Sequence, residues 1–245
     1  MEQILIITGG SKGIGKGIIQ AYLGSGVRVF SIARSVDAEL SAMGVTQISF
    51  DLIQTDQLEQ ELGAIFEWLN PKGISKITLV NNAGTLGEIG PLEKLDADVI
   101  EQVFKLNTIV PYICSAVFVK LTRNFSAEKS ILNISSGAAL KPYYGWSTYC
   151  GSKAALNMLT QNLALEQQDI PNGVKVLAIA PGVVDTNMQA QIRKSEKEDF
   201  KDVDRFVALK TEGGLNNITS VGEHIYQMDH DQTIVSGSIL RVEGK

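Results

Sequence analysis

Ile4-Leu5-Ile6-Ile7-Thr8-Gly9-Gly10-Ser11-Lys12-Gly13-Ile14-Gly15 stands at the start of the chain. An apolar, β-branched run that breaks into glycines and resumes as an amphipathic stretch over 14–24 reads as buried strand, tight turn and helix. Gly9, Gly13 and Gly15 allow a tight turn, a close backbone approach to a pyrophosphate, and close packing of the helix on the sheet. The helix start offers unpaired N–H groups and the positive end of a dipole, both suited to phosphates. The spacing is not Gly-x-Gly-x-x-Gly, so a merely structural strand-to-helix turn stays open at this point.

Downstream, short apolar runs recur at 27–32, 46–50, 77–80, 131–134, 174–179 and 234–242, with helical candidates at 55–69, 97–123, 149–167 and 219–228. Most runs are continuous rather than alternating, as expected where helices cover both sheet faces. Alternation over the whole length predicts one doubly wound α/β domain across 1–245, with a seven-stranded parallel sheet. No repeat or linker interrupts it. Within roughly 185–216, the run Arg193-Lys194-Ser195-Glu196-Lys197-Glu198-Asp199 is densely charged. Composition alone fits a solvated helix face, while its place after a strand's carboxyl end suits a substrate lid.

The 245 residues carry 22 Lys+Arg against 27 Asp+Glu, a net charge of −5, with 44% hydrophobic and 20% charged residues. This excludes a disordered chain, and mild acidity without a basic block argues against nucleic acid or an anionic membrane as partner. Cys114 and Cys150 are far apart and lack metal-ligand spacing, so neither a disulfide framework nor a metal site is expected. No run approaches the roughly 18 consecutive apolar residues of a bilayer span. Met1-Glu2-Gln3 leads directly into a strand without the pattern of a signal peptide. A cytoplasmic protein is expected.

The second strand ends Ala33-Arg34-Ser35, with no acid before Asp37. An NAD-preferring site usually places Asp or Glu there for the ribose 2′-hydroxyl. Arg34, with Lys12, could instead clamp a 2′-phosphate, which points to NADP(H); the alternative is two surface cations without a ligand.

Further along, Tyr149-Cys150-Gly151-Ser152-Lys153 places a phenol and an ammonium one helical turn apart. A phenol ionises near pH 10, and a neighbouring cation would bring it toward the working range. Tyr-x-x-x-Lys alone is common and mostly structural. Ser136, however, lies thirteen residues upstream past the fifth strand, and Asn81-Asn82-Ala83-Gly84 closes the fourth. Both are strand carboxyl ends, where open α/β sheets bind ligands. Asn107 falls inside the 97–123 helix, where propensity would make it a solvent-facing residue.

Thr8-Gly9-x-x-x-Gly13-x-Gly15, Asp51-Leu52, Asn81 to Gly84, Asn107, Ser136, Tyr149-x-x-x-Lys153 and Pro181-Gly182-Val183-Val184-Asp185-Thr186 together resemble the short-chain dehydrogenase/reductase family. The likeness runs to the last strand. It implies a hydride-transfer enzyme in which Ser136 holds the substrate carbonyl and Tyr149 donates the proton. Lys153 would hold the nicotinamide ribose and depress the tyrosine pKa, and Asn107 would anchor a water. The same resemblance implies cofactor contacts from Gly9, Ser11, Lys12, Gly13, Ile14 and Gly15 at the pyrophosphate, and from Arg34 and Ser35 beside them. Asp51 and Leu52 would meet the adenine, and Asn82, Ala83 and Gly84 the adenosine side. Pro181, Gly182, Val184 and Thr186 would surround the nicotinamide.

Within the family, Asn82 to Gly87, Pro142 to Cys150 and Pro181 through Phe206 are most similar to bacterial benzil reductases and to sepiapterin reductases. That implies reduction of a ketone or 1,2-dicarbonyl. Tyr143, Trp146 and Met188, with Ser136 and Tyr149, are the expected substrate contacts; the aromatics could equally pack a core or an interface. Arg241 stands where sepiapterin reductases carry an acid, which disfavours a pterin. Sepiapterin, 3-oxoacyl or hydroxysteroid reduction, or a catalytically silent dinucleotide sensor, are the alternatives. A homodimer or homotetramer through the helices at 97–123 and 149–167 is implied.

Overall fold

The apolar runs form seven strands in the computed structural model, which describes residues 1–243. They are β1 (Glu2–Thr8), β2 (Arg28–Ala33), β3 (Thr46–Ser49), β4 (Ile74–Asn81), β5 (Glu128–Ile134), β6 (Lys175–Ala180) and β7 (Ile239–Arg241). All pairings are parallel and the order is β3-β2-β1-β4-β5-β6-β7, a single-domain Rossmann-like sheet. Continuous apolar strands are explained by the two covered faces. Ile4 and Ile6 share one core with Leu62, Val110 and Phe118, while Leu5 and Ile7 share the other with Ile18, Val221 and Ile225. Chain connections leave β1 and β4 in opposite directions, so a crevice opens at the carboxyl ends of these two strands.

The helices are α1 (Gly13–Gly24), α2 (Ala38–Ala42), α3 (Leu58–Glu67), α4 (Ala97–Phe104), α5 (Val110–Thr122), α6 (Ser147–Gln167), α7 (Asn187–Ile192), α8 (Val203–Thr211) and α9 (Ile218–His230). One of the expected strands is much shorter: of 234–242 only Ile239–Arg241 pairs, because Gly237 takes φ +89° and the Ser238 hydroxyl donates to Val235 O, folding the preceding residues into a turn. The expected 97–123 helix is continuous but holds a π-turn at Lys105–Ile109 joining α4 to α5. By apolar composition and length it is the one described helix that would suit a membrane span, and Val110, Cys114, Val117 and Phe118 of it pack in the core beside β1 and β4. The short helices α2, α7 and α8 escaped periodicity because five to nine residues are too few to show it.

α1 and α9 cross at glycines. A Cβ on Gly17 would fall 2.0 Å from Ile218 O, and one on Gly222 2.2 Å from Gly17 O. Beneath this crossing, at the opposite end of the sheet from the crevice, Asp229 is wholly buried. Its carboxylate accepts hydrogen bonds from Tyr22 Oη (2.8 Å), Thr78 Oγ1 (2.9 Å) and Ser130 Oγ (2.5 Å) and pairs with Lys76 Nζ at 3.2 Å. Burial and this carboxylate hold the Tyr22 phenol well above its ordinary pKa. One side chain thus ties α9 to α1, β4 and β5. Asp229→Ala takes the carboxylate from the Lys76 ammonium, which keeps only the main-chain O of residue 229, and the acceptor from the Tyr22 phenol, while Thr78 and Ser130 retain each other, so urea unfolding should show a loss of about 3–5 kcal/mol; a loss below about 1 kcal/mol would deny the knot its anchoring role.

Candidate active site

The crevice is built first from the end of β1. Asn82, just past β4, donates through Nδ2 to Thr8 O (3.0 Å) and Gly9 O (2.8 Å), and Thr8 Oγ1 accepts from the Asn82 and Ala83 amides at 3.1 Å. This clasp fits only glycines: a Cβ on Gly9 would lie 2.9 Å from Ala83 Cα, and one on Gly15 would lie 2.4 Å from Gly9 O. Asn82 therefore supports the glycine turn through its side chain. Lys12 occupies the N-cap of α1 without a side-chain cap, and no acid occupies the first turn. The helix start thus keeps its N–H groups for an anion, and the turn fits a pyrophosphate. Thr186 closes over Gly13, its Cγ2 standing 3.4 Å from where a Cβ would be. Ile14 packs on the core behind the turn.

At the β2 end, Arg34 and Lys12 are exposed, and the hydroxyls of Ser11 and Ser35 are 3.0 Å apart, joining the turn to this strand. The nearest acid is occupied. Asp37 pairs with Lys16 at 2.9 Å and caps α2 by accepting from Leu40 N, and these contacts lower its carboxyl pKa, Lys16 foremost. Asp51 is half-buried and Leu52 turns its side chain into the core, so Leu52 can offer a ligand only its main chain.

Across β4, Asn107 is buried, not solvent-facing as its helix position suggested. The π-turn that holds it removes the ordinary helical register, a feature that recurs at functional sites. Its amide donates to Thr85 O (2.8 Å) and Ser152 Oγ (3.1 Å), and its Oδ1 accepts from Thr85 N (2.8 Å). Ser152 Oγ in turn donates to Tyr149 O at 2.9 Å. Neither Thr85 nor Ser152 stood out in the sequence beyond lying inside the motifs. Their part is tertiary, since they lock the loop after β4 to the start of α6.

Ser135 and Ser136 point opposite ways, as an extended chain requires. Ser135 is buried with Oγ 2.6 Å from Asn157 Oδ1, whereas Ser136 is partly exposed and its Oγ accepts from Ala138 N at 3.1 Å. Tyr149 is buried; burial raises its phenol pKa, and the Ser136 hydroxyl beside it pulls the other way. Lys153 Nζ donates to Ile134 O at 2.8 Å and lies 3.4 Å from a Cβ position on Gly84, and burial lowers its pKa to about 8. Pro181 is buried, and Gly182, with φ +76°, approaches Asn216 Nδ2. Val184 pairs with Asn216 in an isolated bridge, which closes the base of the 185–216 segment.

That segment is folded down onto the tyrosine. Leu86, Trp146, Tyr149, Ile192, Phe200, Val203 and Phe206 form a third core, with Tyr143 and Met188 at its margin. Trp146 stacks on Phe200 (4.5 Å, 16°) and meets Tyr149 edge-on at 5.6 Å. It is only 5% exposed and its indole Nε1 has no partner. Of the expected substrate aromatics, Trp146 thus packs a local core above the tyrosine, and Tyr143 lies at its rim.

The short chain dehydrogenase family model matches residues 3–197. The benzil reductase ((S)-benzoin forming) of Bacillus cereus is 38% identical, covering 98% of this chain and 98% of its own. The sepiapterin reductase of Meriones unguiculatus is 32% identical over 96% of this chain and 94% of its own. The solved structure of ElxO with NADP bound superposes with a TM-score of 0.81 at 25% identity, covering 99% of this chain and 97% of that one. On the glycine turn, the converging Ser136, Tyr149 and Lys153, and these likenesses, the chain belongs to the short-chain dehydrogenase family and is an oxidoreductase.

Proposed function

We propose that the protein is an NADPH-dependent carbonyl reductase whose substrates are 1,2-dicarbonyls or aryl ketones, benzil among them. The observation that carries it is the Ser136 hydroxyl beside the buried Tyr149 phenol, under an aromatic core and at the same sheet edge as the uncapped start of α1. The 38% identity to a benzil reductase supports the substrate class.

NADPH, when bound, supplies the hydride. Gly9 to Gly15 would hold its pyrophosphate, Arg34 and Lys12 its 2′-phosphate, and Lys153 its nicotinamide ribose. Arg34 is favoured for this because Asp37, the one acid nearby that could select a 2′-hydroxyl, is spent on Lys16 and on capping α2. Tyr149 gives its proton to the carbonyl oxygen, and Ser136 donates a hydrogen bond to the same oxygen. A phenol whose pKa is raised by burial stays protonated at neutral pH, which suits it to act as the acid in the reductive direction. The segment 185–216, hinged at Val184 and Asn216, excludes water from the reacting carbonyl. Phe104, Ile109 and Tyr112 of the α4–α5 helix and Met158 and Leu165 of α6 are exposed, with Phe104 against Gly151. This apolar face is taken as a homodimer surface.

Tyr149→Phe should lower NADPH oxidation with benzil by about 10²–10⁴-fold, while fluorescence titration still shows NADPH binding. Ser136→Ala should lose most turnover and Ser135→Ala should keep it; the reverse pattern would reassign the carbonyl contact. Arg34→Ser should raise KM for NADPH about tenfold or more, as loss of a charge-assisted phosphate contact would, and leave KM for NADH in place. Equal use of both cofactors by the parent enzyme would remove the clamp. Sedimentation should give a dimer that Ile109→Lys with Met158→Lys converts to a monomer; a monomeric parent would refute that surface.

A further inference from the structure

The glycine turn and the loop after β2 are tied together twice. Ser11 Oγ and Ser35 Oγ are 3.0 Å apart, and Lys16 Nζ is 2.9 Å from Asp37 Oδ2. Lys12 lies between these ties on the first segment, and Arg34 directly precedes them on the second. Lys16 is one helical turn past Lys12, its amide donating to Lys12 O at 3.4 Å. The same ammonium reaches Glu39 Oε2 at 2.6 Å. Asp37 and Glu39 are the two acids within five residues of Arg34, so one lysine serves both.

This is a sheltered pair rather than a loose surface contact. The Lys16 and Asp37 side chains are 19% and 21% exposed, whereas Lys12 and Arg34 are open to solvent. Each partner holds the other charged: Asp37, then Glu39, raises the Lys16 pKa, and Lys16 foremost lowers that of Asp37.

Asp37 does not owe its place to Lys16. Its amide donates to Gln47 Oε1 at 2.9 Å, Gln47 Nε2 donates back to Asp37 O at 2.7 Å, and Asp37 Oδ1 accepts from Leu40 N at 3.0 Å as the cap of α2. Gln47 belongs to β3, which pairs with β2. The sheet therefore keeps this carboxylate just past Arg34 whether or not a cation faces it. A 2′-phosphate brings roughly two negative charges, which an unneutralised carboxylate there would oppose. The same carboxylate would accept a hydrogen bond from a 2′-hydroxyl.

Resting on the NADPH reading above, we propose that Lys16 is a positioning residue for cofactor choice: by neutralising Asp37 and Glu39 it leaves Arg34 and Lys12 free to favour a 2′-phosphate that Lys16 itself does not touch.

The test uses adenosine 2′,5′-bisphosphate and 5′-AMP, which differ in the 2′-phosphate alone and need no turnover, with dissociation constants measured by calorimetry at low salt. The parent protein should bind the bisphosphate more tightly. In K16Q the ratio of the two constants should move about tenfold against the bisphosphate, and raised salt should shrink that change. K16R should keep the parental ratio. Adding D37N and E39Q to K16Q should restore it, because the amide in D37N can still cap α2 and the opposing charges are gone. A loop merely loosened by the loss of Lys16 would not recover when further charges are removed, so a triple variant that stays at the K16Q ratio overturns the proposal. A parental preference that K16Q leaves intact also overturns it, with the NADPH reading standing. If the parent binds both nucleotides equally, the NADPH reading falls and this proposal with it.

Discussion

The site depends on the clasp between Asn82 and the Thr8–Gly9 main chain. In an all-parallel sheet every strand delivers its carboxyl end to the same edge, and the crevice forms where the connections from two adjacent strands diverge. That crevice would be a gap between β1 and β4 unless something bridged their ends. Asn82 bridges it with two hydrogen bonds to carbonyls, and the Thr8 hydroxyl accepts two amides in return. Because the bridge draws the backbones within contact distance, Gly9 and Gly15 are obligatory. The start of α1, freed of side-chain caps, then faces the opening.

The other wall is set by a chain of buried polar groups. Asn107 in its π-turn links the loop after β4 to Ser152, and Ser152 links to the main chain of Tyr149. Lys153 is held one turn further on by Ile134 O, and its burial lowers its pKa to about 8. These groups are costly to bury singly and are kept because each finds a partner. Rigidity at the phenol follows from that satisfaction and from the Trp146–Phe200 stack above it.

Much of this was legible from spacing and residue type. Continuous apolar runs announce a sheet covered on both faces, and all seven appear as strands. Gly9, Gly13 and Gly15 announce the turn, and the Ser136 hydroxyl stands beside the Tyr149 phenol. Two readings needed correction, each for a tertiary reason. The last strand is curtailed by the left-handed Gly237. Asn107 is buried within a π-turn where a regular helix was expected.

The sequence by itself determined the succession of strands and helices, the turn chemistry and the candidates for the reacting groups, since those rest on local periodicity, on glycine and on residue type. The tertiary structure decided who partners whom. It alone turned Ser135 to Asn157 and left Ser136 facing Tyr149, committed Asp37 to Lys16 and so left Arg34 unopposed, and laid Phe200 and Phe206 on Trp146. Those outcomes depend on contacts between residues tens of positions apart, and an ion pair or a stack across such a separation has no period for a sequence to display.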